Sequence, residues 1–100
     1  MPGAKVSSAA VQVVDVSLTL NGSAQQLVAY SQDRGHLQFQ CNQGNIAYSY
    51  TNPNCGAPGT PTTGCYVLAA GQVWSPAFGL PSNAIYVNGT NGQLLIATAG

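Results

Sequence analysis

Hydrophobic positions recur in this chain every second residue rather than every three to four. Val14, Val16, Leu18 and Leu20 share one parity, and Asn21-Gly22 follows as a tight-turn signal. Val11 and Val13 have the other parity, which predicts a bulge or strand break near Val13-Val14. Gln25 to Tyr30 is a second extended run. Leu37, Phe39 and Cys41 then alternate with His36, Gln38 and Gln40. After a turn at Asn42-Gln43-Gly44-Asn45, Ile46, Tyr48 and Tyr50 alternate with Ala47, Ser49 and Thr51. Successive side chains of a strand point to opposite faces, so each run predicts a strand with one face toward a core.

Residues 52–64, NPNCGAPGTPTTG, carry three prolines and three glycines without apolar rhythm, which predicts a long loop. Short strands are expected at 65–68 and 72–74, joined through Ala69-Ala70-Gly71. A turn-rich piece at 75–83 leads into a strand at 84–87. Asn88-Gly89-Thr90-Asn91-Gly92 is expected to close a hairpin in which 93–98 pairs back. No run of ten residues offers a helical apolar face free of Gly and Pro. The pattern therefore predicts an all-β chain: a single-domain antiparallel β-sandwich over 11–100, Greek-key or jelly-roll, with seven to eight short strands and an N-terminal arm at 1–10.

Composition narrows what such a sandwich does. Only Lys5, Asp15, Asp33 and Arg34 are charged, 4% of the chain against a usual share of about 25%. Two cations cannot neutralise a run of phosphates or hold an anionic lipid surface, so neither nucleic acid nor membrane is expected as a partner. No stretch approaches the roughly 20 apolar residues of a membrane span. Ser7, Ser8, Gln12 and Asp15 interrupt any signal-peptide core, and the odd count of three cysteines suits synthesis in a reducing cytoplasm. A surface of neutral polar groups costs less to dehydrate than a surface of ions, which favours a permanently assembled protein.

The candidate chemistry is thin. Asp33, Arg34 and His36 are the only clustered ionisable groups, and a catalytic set would need a further nucleophile or carboxylate. The structural reading is preferred: Arg34 anchors a strand start by bonding loop carbonyls, helped by Asp33. His36 with Cys41, Cys55 and Cys65 is a legitimate zinc ligand set, but there is no Cys-x-x-Cys knuckle and His36 and Cys41 point to opposite faces. No metal or other cofactor is expected. Cys41 reads as a small buried hydrophobe, while Cys55 and Cys65 flank the loop and are candidates for a disulfide after cell lysis. Asn21-Gly22-Ser23 and Asn88-Gly89-Thr90 match the glycosylation pattern but read as turns.

The aromatic residues carry the binding expectation. Phe39, Tyr48 and Tyr86 are assigned to the core, and those left exposed would anchor a protein interface or a glycan. The expected partner contacts are Tyr50, Pro53, Pro58, Pro61, Trp74 and Phe78, with the 52–64 loop and the N-terminal arm as contact elements because neither has a core to join.

Several pieces, in this order and spacing, resemble small β-sandwich structural proteins of tailed bacteriophages. They are Arg34-Gly35-His36-Leu37-Gln38-Phe39-Gln40-Cys41, Asn45-Ile46-Ala47-Tyr48, Leu68-Ala69-Ala70-Gly71-Gln72-Val73-Trp74, Pro81-Ser82-Asn83-Ala84-Ile85-Tyr86-Val87 and Gly92-Gln93-Leu94-Leu95-Ile96. The resemblance spans roughly residues 24–100. It departs at Cys41, where Asn is expected, and at the 52–64 loop, which looks like an insertion. It implies a non-enzymatic virion protein, made in the host cytoplasm and placed on the capsid surface as a decoration or cement protein. Its partners would be the major capsid protein and copies of itself, in a homo-oligomer or symmetric array. A tail, baseplate or head-fibre component and a glycan-binding module are the alternatives.

Overall fold

Two antiparallel sheets face each other across one apolar core in the computed structural model, which describes residues 12–76 and 79–100. In chain order the strands are β1 (Val14–Asp15), β2 (Leu18–Thr19), β3 (Gln25–Val28), β4 (Leu37–Gln40), β5 (Ile46–Ser49), β6 (Cys65–Leu68), β7 (Ile85–Asn88) and β8 (Leu94–Ala99). In the first sheet β8 is central, with β4 on one side and β1 and β2 end to end on the other. The second sheet runs β3-β7-β5-β6. The chain is an all-β sandwich of eight strands, and no helix is present among the described residues.

The inward faces follow the alternation. Leu37, Phe39 and Cys41 are all buried, as are Leu95 and Ala97 from the neighbouring β8 and Ile46, Ile85 and Val87 from the facing sheet. At about 25 cal/mol per Å² of apolar surface removed from water, this layer supplies the main stabilisation of the fold. Gly89 shows how tightly it is filled. A Cβ there would lie 2.6 Å from Leu20 Cδ1 and 3.1 Å from Ile46 Cγ2, with both side chains themselves buried. Gly89→Ala is expected to cost about 1–2 kcal/mol through overpacking, read as a lower urea midpoint at unchanged slope.

Several strand assignments need correction. Strand structure begins at Val14, with Val13 outside it, and is interrupted again at Val16-Ser17; Val11 and the 1–10 arm lie outside the described residues. Register runs unbroken across the gap, from Val14↔Ala99 to Thr19↔Leu94, because the Ser17 hydroxyl accepts the Ala97 N–H at 3.0 Å. The same serine donates its N–H and hydroxyl to Asp15 at 2.9 and 2.6 Å, diverting the backbone there from the ladder. Residues 72–74 make no strand. Gly71 has φ +80° and turns the chain, so only Trp74 reaches β4, with its N–H on the Phe39 carbonyl at 2.8 Å.

The hairpin expected at 88–92 does not form. Gly92 is left-handed at φ +89°, as a turn glycine should be, yet β8 does not pair back on β7. It crosses to the first sheet. The links β2–β3, β3–β4 and β4–β5 cross between sheets as well, and β5–β6 is the only pair of consecutive strands that are neighbours in the second sheet.

The 52–64 loop was expected to have no core to join, but it closes over the outer face of the second sheet. Ala47 and Ser49 point away from the main core yet are fully buried, and Asn88, opposite Ala47, is nearly so. Cys55 is 2% exposed beneath this cover, and its carbonyl accepts the Asn88 side-chain N–H at 2.8 Å.

Candidate functional site

Strand register gathers tyrosines at one end of the sandwich. Tyr48 on β5 and Tyr66 on β6 are direct cross-strand partners with ring centroids 5.6 Å apart. Tyr50 continues the Tyr48 face just past the end of β5, at 5.8 Å from Tyr48 and 6.0 Å from Tyr66. The Trp74 indole N–H donates to the Tyr50 hydroxyl at 3.0 Å. Together with Pro76 and Pro81 these side chains line a cleft of about 350 Å³, and no charged residue lines it among the described residues.

One cation builds the wall of this cleft. The Arg34 guanidinium donates to the Pro81 carbonyl, to Asn83 O at 3.0 Å and to Ala29 O at 2.7 Å. Asn83 in turn donates its side-chain N–H to Tyr50 O at 3.2 Å. Arg34 therefore pins the Pro81 segment to the end of β3 and against Tyr50, and its donors are spent on backbone rather than pointed at a ligand. Asp33 is exposed, and no hydrogen bond ties it to Arg34 among the described residues.

Trp74 was expected on the contact surface and is instead core, only 3% exposed. Its ring lies flat on Phe39, centroids 5.0 Å apart and planes 10° from parallel. Packing wins because the Trp74 backbone bonds β4 beside Phe39, which leaves the indole no direction but inward. Tyr50 lines the cleft half-buried. Pro53 and Pro61 are exposed and Pro58 half-buried on the loop, while Phe78 lies outside the described residues. Of the residues assigned to the core, Phe39 is 1% exposed, whereas Tyr48 and Tyr86 are half-buried. The exposed ring of the cleft is Tyr66, 55% accessible, which sequence reasoning did not single out. Its signal was the alternation that sets it opposite Tyr48, readable only once β5 and β6 are known to pair.

The cleft disfavours negative charge. Burial, with the neighbouring Tyr50 and Tyr66 hydroxyls adding to it, pushes the Tyr48 phenol up to about 12. A phenol held above its ordinary value of 10 stabilises the folded state fully below pH 10, and that contribution is lost as pH rises from 10 toward 12. The expected outcome is a thermal midpoint that falls across this window. Tyr48→Phe should lose less stability over the same range, and alkaline ultraviolet titration should show one fewer late-ionising phenol.

His36 lies apart, its Nε2 2.9 Å from the Thr98 hydroxyl. Among the described residues no group of three or more His, Cys, Asp or Glu side chains gathers where it would hold a metal ion. Cys41 belongs to the core between the sheets, whereas Cys55 and Cys65 lie with the loop. Comparison with protein-family models finds no match to this chain, and searches of curated proteins and of solved structures return none.

Proposed function

We propose that this chain is a non-enzymatic structural module of a phage particle, a capsid decoration protein held by the major capsid protein and by its own copies. The observation that carries the reading is the uncharged aromatic cleft, open beside the exposed side chain of Tyr66. A rigid ring that buries much area for little lost rotamer freedom is the usual anchor of a protein interface, and neutral surroundings make its dehydration cheap. Leu94 and Ile96 add exposed apolar side chains on the first sheet, so both sheets offer contact surface. The particle part of the reading rests on the resemblance of the ordered sequence pieces to phage structural proteins.

Tyr66→Ala is expected to weaken binding to purified capsid shells about 30-fold, a loss on the order of 2 kcal/mol, while stability changes by less than about 1 kcal/mol. Co-sedimentation measures the first and urea unfolding the second. Mass spectrometry and cryo-microscopy of particles should find the protein in copies comparable to the capsid subunit. A copy number near that of a tail ring or a single vertex would replace decoration with a tail, baseplate or head-fibre role.

A glycan-binding module is the second reading, favoured by the same tyrosines and tryptophan. Sugar stacking needs an open ring face, and the Trp74 face lies on Phe39 while its N–H is engaged by Tyr50. That leaves Tyr66 as the exposed platform, which favours a protein partner. Binding on a glycan array that is lost in Tyr66→Ala would reverse this preference.

A further inference from the structure

Cys55 and Cys65 bracket residues 56–64, and the fold brings both onto the outer face of the second sheet. Cys65 is the register partner of the buried Ser49, while Asn88 draws the Cys55 carbonyl onto the same face. One hydroxyl joins the two ends of the loop. Thr62 Oγ1 accepts the Gly56 N–H at 3.0 Å, lies 3.3 Å from Asn54 O and stands 3.2 Å from Cys65 Sγ. The immediate neighbours of Cys55 and the sulfur of Cys65 thus meet at a single atom. Gly56 is required for this closure, since a Cβ there would lie 2.6 Å from Thr60 O. Each thiol shifts the acidity of the other, and both are free.

We infer that Cys55 and Cys65 form a thiol–disulfide modification site, with Cys65 as the entry thiol and Cys55 as the resolving thiol, and that its oxidation locks the 51–64 loop onto the second sheet. The order follows from access: Cys65 is partly exposed and Cys55 is 2% exposed. Acidity agrees with it. Burial pushes Cys55 up to about 12, with the Cys65 thiol adding to the rise. Partial desolvation raises Cys65 too, but hydrogen bonds from the Thr62 hydroxyl, the Cys55 thiol and backbone N–H groups outweigh it and lower the thiol.

The oxidant is a low-molecular-weight disulfide such as oxidised glutathione. The Cys65 thiolate attacks one of its sulfurs, the S–S bond breaks, and one glutathione leaves as thiolate. Cys55 then loses its proton to solvent, attacks the Cys65 sulfur and displaces the second glutathione. Two protein thiols are oxidised to one disulfide, and one small disulfide is reduced to two thiols. Cys41, 1% exposed between the sheets, stays outside the exchange.

The test exposes the full chain to oxidised glutathione, quenches with acid and reads intact mass, remaining thiols and the proteolytic map. The expected product is lighter by two hydrogens, keeps a single alkylatable thiol at Cys41, and melts about 10 °C higher, as closing a short loop of the unfolded chain predicts. Cys55→Ala should stop at a glutathione adduct on Cys65, and Cys65→Ala should remain unmodified over the same exposure. A stable adduct on Cys65 with Cys55 still reduced in the wild-type chain, a bridge to Cys41, or a disulfide-linked dimer would overturn the site. Modification of Cys55 in Cys65→Ala at the wild-type rate would overturn the order, and an unchanged melting point would overturn the lock.

Discussion

Phe39→Ala is expected to cost about 3–5 kcal/mol, the largest effect of any single truncation considered for this domain. Phe39 is 1% exposed at the centre of the sandwich. It stacks on Trp74 at 5.0 Å and meets Tyr48 edge-on at 5.7 Å, so it is also the floor on which the cleft aromatics rest. Removing the ring loses its transfer free energy and leaves a cavity that the first sheet, its strands fixed in register by the β4–β8 ladder, cannot collapse to fill. Small domains hold only about 5–15 kcal/mol in total, so the variant would sit close to its unfolding threshold. Urea unfolding measures the loss. Trp74 is the sole tryptophan, so its fluorescence reports the same event directly and should shift to the red before global unfolding. A cost below about 1 kcal/mol would mean that the ring stack does not organise the core.

Ser49→Ala is expected to cost about 3 kcal/mol, a large figure for deleting one oxygen. Ser49 is fully buried, and its hydroxyl works for the loop: it donates to Gly64 O at 2.9 Å and accepts the Thr51 and Asn52 N–H groups at 3.2 and 2.9 Å. Alanine leaves those backbone groups unpaired under cover, where each costs about 1–3 kcal/mol. Two outcomes are distinguishable by hydrogen exchange. If the loop opens locally, the Thr51 and Asn52 amides exchange about a hundredfold faster while β8 amides keep their protection. If the loop is integral to the domain, both sets accelerate together. Unchanged exchange at Thr51 and Asn52 would refute the role assigned to the hydroxyl.

Ser49 also marks the boundary of what could be read without coordinates. In the sequence it is one polar residue of an alternating strand, indistinguishable from Thr51, and alternation assigns it to solvent. It is buried because the 52–64 loop, whose composition carries no apolar rhythm, returns over that face. No local pattern encodes such a return. Trp74 taught the same lesson in reverse, since a lone aromatic after a glycine turn gives no hint that its backbone will bond β4.

The linear order of residues determined most of the extended segments, 72–74 excepted, and which side chains of β4 and β5 face inward, because a strand has a strict period of two and burial acts on each position separately. It determined the absence of an ionic surface and the positions of the chain reversals at Gly22 and Gly92, where φ is positive. Partnership was decided only in three dimensions. A turn constrains a few backbone angles, and those are compatible with returning to the same sheet or arching to the other. Which occurs depends on what the next strand must bury against, a sum over distant residues. The cleft of Tyr48, Tyr50 and Tyr66, the clasp of Arg34 on Pro81 and the Thr62 junction beside Cys55 and Cys65 all descend from that choice.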